Sequence, residues 1–194
     1  LNRQTKCSIE MKGTMVARAG RTALRLHKVD LTGADLEGQR LENAEIIEAN
    51  LTAASLAQCG LAGVIMRSVN LTGANLRKTN LNFSHMNDVN LSGAQMQEAE
   101  ISESTLSRVD LSAADLTGAD LTDTDLSWSD LSRANFSRAN LSNADLTAAT
   151  VRGANFANAN LSGVSPYQLH LAEARGLETT KGLPPFFLED LDTE

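Results

Sequence analysis

Few side chains in this sequence could do covalent or metal chemistry. Three histidines, His27, His85 and His170, are scattered, and neither a Ser/His/Asp set nor a metal-ligand spacing connects them. Cys59 occupies an apolar repeat position and reads as a small core residue; Cys7 has no recognisable context. Two cysteines in 194 residues exclude a disulfide-stapled fold. Carboxylates are plentiful but recur at a fixed interval, so we read them as a solvated ladder bonded to nearby backbone. A calcium site on stacked Asp110/Asp130 or Asp125/Asp145 is a minor alternative. The Asn-Leu-Ser/Thr triplets at Asn50, Asn70, Asn90, Asn140 and Asn160, with Asn82 and Asn135, match glycosylation acceptors, but the repeat itself generates that spacing. The expectation is a protein with no enzyme activity, no cofactor and no metal site.

The elements that carry these side chains follow from a period of five. Every fifth residue from Leu31 to Leu161 is apolar: 19 Leu, 3 Met, 2 Ile, 2 Phe and 1 Val. Two residues earlier in each unit stand 15 Ala and 5 Val, and Asp or Asn fills 17 of the 27 positions between. A period of five is neither the 3.6 of a helix nor the alternation of a long strand. Residues two apart in a strand share a face, so Ala and Leu point one way and Asp/Asn the other. The remaining two residues, often Ser or Thr and then Gly or a polar residue, suit a corner. A three-residue strand and a two-residue corner, repeated without a break, wind into a β-solenoid with Ala and Leu on its axis.

The unit Ala-(Asp/Asn)-Leu-x-x, seen plainly in Ala119-Asp120-Leu121-Thr122 and Ala139-Asn140-Leu141-Ser142, resembles that of the pentapeptide-repeat family over residues 29–163. The resemblance implies an all-β solenoid: a right-handed quadrilateral β-helix with four units per coil. Met66/Met86 and Phe136/Phe156, each 20 apart, agree with four sides. Twenty-seven units then make about seven coils, roughly 32 Å of rod at the usual strand spacing.

The sequence divides into three parts. Residues 1–28, with seven bases and one acid, read as a basic cap or degenerate first coil, and Arg21 falls at an inward site that a dry core rejects. Residues 29–165 are the repeat, net −9. Residues 166–194 read as a C-terminal helix cap over 166–175, starting at Ser165-Pro166 and stopping at Gly176, then an acidic and apolar tail. In that tail Phe186, Phe187, Leu188 and Leu191 serve either as more cap or as a self-association surface giving a homodimer through the C-terminal end. Some family members pair that way. A chain that begins at Leu1 is expected to be processed or part of something larger. No apolar run is long enough to span a membrane and no signal peptide is visible, so we expect a cytoplasmic protein with no membrane partner.

Three surface features mark where a partner would bind. Asp110, Asp115, Asp120, Asp123, Asp125 and Asp130 form an acidic belt. Ile47, Ile65 and Phe83 are apolar at outward positions, with Ile65 and Phe83 expected on one corner beside His85. Trp128 is outward one coil above Arg108, so a cation–π stack is expected. The leading expectation is a scaffold or protein–protein interaction module. The alternative, taken from a subset of the resembled family, is a DNA mimic that binds and protects a type II topoisomerase such as gyrase. One net charge per about 3.6 Å is roughly half the density of DNA, at one per about 1.7 Å, and bases such as Arg77 and Arg138 interrupt the surface. The acidic body is not expected to bind nucleic acid directly.

Overall fold

The computed structural model describes residues 23–164 and 171–183. The chain winds as a right-handed quadrilateral β-helix whose coil is 20 residues long. Strands β1 (Arg25–His27), β2 (Glu45–Ile47), β3 (Ile65–Arg67) and β4 (His85–Asn87) form one parallel sheet in that order. Leu26 pairs with Ile46, Ile46 with Met66, and Met66 with Met86. The other sides are held by single bridges at the same offset, for example Asp30↔Asn50, Asp35↔Ser55 and Arg40↔Gly60. We number the faces from these residues: the first carries Asp30, the second Asp35, the third Arg40, and the fourth β1–β4 with Thr105, Asp125 and Asp145 above them. β1 already pairs in regular register, so the winding reaches into the stretch read as cap or degenerate coil; residues 1–22 lie outside the described residues.

The axis is filled as the period requires. Leu111, Leu116 and Leu121 are buried, as are Ala114 and Ala119 beside them. Burying each leucine contributes about 1.5–3 kcal/mol. Phe136 and Phe156 stack on the axis of the second face, centroids 5.2 Å apart and planes 5° from parallel. The few inward polar residues are matched to backbone. The hydroxyls of Thr79, Ser104, Thr124 and Ser129 donate to carbonyls of the coil below, such as Thr79 Oγ1 to Leu56 O at 2.8 Å. Cys59 Sγ makes the same bond to Leu36 O, and burial pushes its thiol pKa up. Ser84 Oγ has no partner.

Corners repeat as strictly as faces. Every fifth residue from Lys28 to Gly163 has a positive φ, and twenty of these are not glycine. Most corners close with a bond such as Ala34 N–H to Leu31 O, 2.9 Å. Those after β1–β4 have no such bond among the described residues, and Val29, Val69 and Val89 follow three of them. The outward Asp and Asn brace the corners, Oδ1 accepting the N–H two residues on, as in Thr52 to Asn50 and Ser112 to Asp110.

The end of the rod differs from expectation. The described part of the helix placed over 166–175 is a single 3-10 turn, Leu171–Glu173, after which Arg175 pairs with Asn155; the rest of that span lies outside the described residues. A second 3-10 turn, Leu177–Thr179, precedes Lys181, which pairs with Asn160. The last coil offers backbone donors that need acceptors. Gly153, Phe156 and Leu161 N–H find them in the carbonyls of Glu173, Arg175 and Lys181, while Leu171 and Leu177 bury on the axis. An α-helix, spending its carbonyls internally, would leave those donors bare.

Candidate functional site

The fourth face gathers the outward apolar residues. Phe83 occupies the corner that leads into it and Trp128 the corner that leaves it, two coils higher. They are the exposed large hydrophobic residues among those described, at 55% and 62%. Two strand spacings along the rod and one side across it put them on the order of 14 Å apart. Between them lie polar residues: His85, Asn87, Thr105, Ser107 and Ser127, with Asp125 on the same coil as Trp128. Below, Ile47 and Ile65 are half-buried and diagonal to each other across β2 and β3, Ile47 paired with Arg67 and Ile65 with Glu45. Ile65 does not share the corner of Phe83: it lies on the face itself, paired with His85, and the residue one coil beneath Phe83 is Gly63.

Both aromatics are held where bulky side chains are uncommon. Phe83 has φ 61° and Trp128 φ 62°. A large residue in the left-handed region costs of order 1–2 kcal/mol relative to glycine, and both rings remain more than half exposed. Trp128 does stand one coil above Arg108, its corner counterpart at φ 61°. The expected cation–π stack is not formed, however, among the described ring contacts. Both side chains are exposed, and water competes well for a guanidinium there.

The aspartates of the acidic belt fall on successive faces of the coil, and most are bonded to the backbone. Asp110, Asp115, Asp120, Asp125 and Asp130 each accept the N–H two residues on, and Asp123 sits at a left-handed corner. Burial raises the Asp115 pKa, but hydrogen bonds from the Thr117 hydroxyl and N–H and the Gln97 amide, with Arg77 nearby, outweigh it and hold the carboxyl below its ordinary value. Asp30 is lowered by the Thr32 hydroxyl and N–H. No group of three or more His, Cys, Asp or Glu comes together to hold a metal among the described residues. No helix of the described chain is long and apolar enough to cross a membrane. Phe186, Phe187, Leu188 and Leu191 lie outside the described residues.

A five-residue unit, a 20-residue coil and an axis of leucine define a solenoid of one class. The chain belongs to the pentapeptide-repeat family, whose profile matches in eight copies over residues 24–57, 44–82, 74–112, 94–133 and 139–165. Among solved structures it is similar in fold to two trypsin-treated variants of QnrB1, a plasmid-mediated fluoroquinolone resistance protein. These are 20% and 18% identical, with TM-scores of 0.58 and 0.57; each alignment covers 87% of this chain and 94% of the other. HetL, a pentapeptide repeat protein involved in heterocyst differentiation regulation in Nostoc sp. strain PCC 7120, is 26% identical over 78% of this chain and 84% of its own, with a TM-score of 0.26. No curated protein sequence matches the chain.

Proposed function

We propose that this pentapeptide-repeat scaffold is a non-catalytic interaction module that presents its fourth face to a protein partner. The observation that supports this reading is the placement of Phe83 and Trp128: the two exposed large hydrophobics of the described chain flank one face, each on a backbone conformation that disfavours it. Strain kept at exposed aromatic residues suggests use elsewhere, and aromatic anchors are favoured at protein interfaces. Ile47 and Ile65 would extend the contact, with His85 and Arg108 at its margin.

The test compares the tagged chain with a Phe83→Ala/Trp128→Ala variant in capture from native lysate, with melting temperatures measured alongside. A protein retained by the parent and lost from an equally folded variant supports the reading. A partner held equally by both overturns it. Capture of a type II topoisomerase through the acidic belt, indifferent to the two aromatics, would favour DNA mimicry instead.

A further inference from the structure

Some cations of this rod pair with an acid on the coil above. Arg25 pairs with Glu45 at 3.0 Å, Lys28 with Glu48 at 3.4 Å and Lys78 with Glu98 at 3.3 Å, each acid one coil above its base. Among the described residues Arg67, Arg77, Arg108 and Lys181 form no such pair, and at the upper end of the second face three more arginines without one stand together. Arg133 and Arg138 stand at the two corners bounding this face on the same coil, and Arg175 lies on the face above Asn155. All three are exposed, and none forms an ion pair with a described residue. Their stacked neighbours explain this. Arg133 sits between Ala113 and Gly153, and Arg138 between Gly118 and Asn158, so no carboxylate reaches either guanidinium. Arg152, at the same edge, is already engaged by Glu173 at 3.1 Å.

We propose that this arginine-bounded end of the second face is a second docking surface, opposite the fourth face, that takes a short acidic segment of a protein partner. Guanidinium groups suit carboxylates through paired N–H donors. The floor between them is already satisfied: Asn155 Nδ2 donates to Asn135 Oδ1 and Ser137 Oγ. Recognition therefore falls to the three free guanidiniums. The surface is also bounded below. Asp115 lies one coil beneath Asn135 on the same face, in the acidic belt. A long polyanion following the rod would run onto those carboxylates within roughly 5 Å, so the observations favour a few carboxylates over a nucleic-acid strand.

The probe is a fluorescein-labelled hexaglutamate peptide, followed by polarisation against the full chain. Saturable binding is expected, weakening steeply with salt. Its Kd should rise about tenfold in an Arg133→Ala/Arg138→Asn/Arg175→Gln variant. Alanine and asparagine already occupy those corner columns at Ala113 and Asn158, and a melting curve checks the fold. The Phe83→Ala/Trp128→Ala variant should bind the peptide as the parent does, which separates this surface from the fourth face. Absent or salt-insensitive binding, an unchanged Kd in the triple variant, or tighter binding of labelled hexathymidylate would each overturn the proposal. Arginine-dependent self-association in sedimentation would assign the surface to a second copy instead, and overturn it equally.

Discussion

Asn155 stands one coil above Asn135 and donates from its amide to the Oδ1 below at 3.2 Å, while its own Oδ1 accepts the Ala157 N–H at 3.0 Å. One side chain thus braces its own corner and ties it to the coil beneath. Asn160 and Asn140 repeat the arrangement on the third face. Asn155→Ala should therefore lower stability by about 1–2 kcal/mol. Asn155→Asp should keep the corner brace but set a carboxylate against an acceptor, losing the tie. Urea unfolding of the two variants separates the contributions; an alanine variant as stable as the parent would refute them.

The dry axis makes a second expectation. Leu121→Ala should cost about 2–5 kcal/mol. Leu121→Asp should cost more, because an unpaired carboxylate would face only apolar neighbours. A thermal melt reads both, and an unmoved melting temperature for the aspartate variant would mean that Leu121 is not inward.

The two aromatic corners predict opposite signs for folding and binding. Phe83→Gly and Trp128→Gly each relieve a left-handed bulky residue and should raise stability by about 1 kcal/mol, while weakening partner capture. Denaturant midpoints supply the first number and capture from lysate the second. A loss of stability in either variant would show that the ring packs usefully on the surface.

Acid sensitivity should concentrate at Asp115. Its folded pKa is lowered, so its contribution is present above the unfolded value, near 3.9, and is lost as pH falls through the folded value. Asp115→Asn should lose less stability than the parent between about pH 5 and pH 2. Unfolding curves across that range test the difference, and parallel pH profiles would argue against it.

Gly176 predicts local rather than global loosening. Its φ is 74°, and a Cβ there would lie 2.6 Å from Ala157 N. Gly176→Ala should lift the last coil, speeding hydrogen exchange at Phe156 and Leu161 while leaving Leu121 protected. Uniform exchange across the rod would contradict this.

The winding and the inward set were legible because one chemical pattern, Ala-(Asp/Asn)-Leu, states both the strand and its buried face. The corner conformation was not, since residues as unlike as Glu48, Trp128 and Arg133 all adopt a positive φ that composition alone does not announce. Ser165-Pro166 read as a helix start by local rules, but the open backbone of the coil beneath decides the shape of residues 171–175. The aromatic candidates were visible as rare outward residues, whereas their common face needed the coil phase: Phe83 precedes the fourth face and Trp128 follows it. The arginines of the second face read only as bases interrupting an acidic surface, because their isolation depends on neighbours 20 residues away, Ala113 and Gly153 for Arg133, which no short motif contains.

The 20-residue coil also governs how such a molecule can change in length. Removing four units would shorten the rod by one storey and keep every remaining side chain on its original wall. Removing a single unit between Phe83 and Trp128 would preserve each inward leucine and each corner, yet turn everything above the cut by a quarter revolution. Trp128 would then overlook a different wall from Phe83. For this architecture the orientation of distant surface groups is counted in fives, and stability is a poor guide to whether the count has been kept.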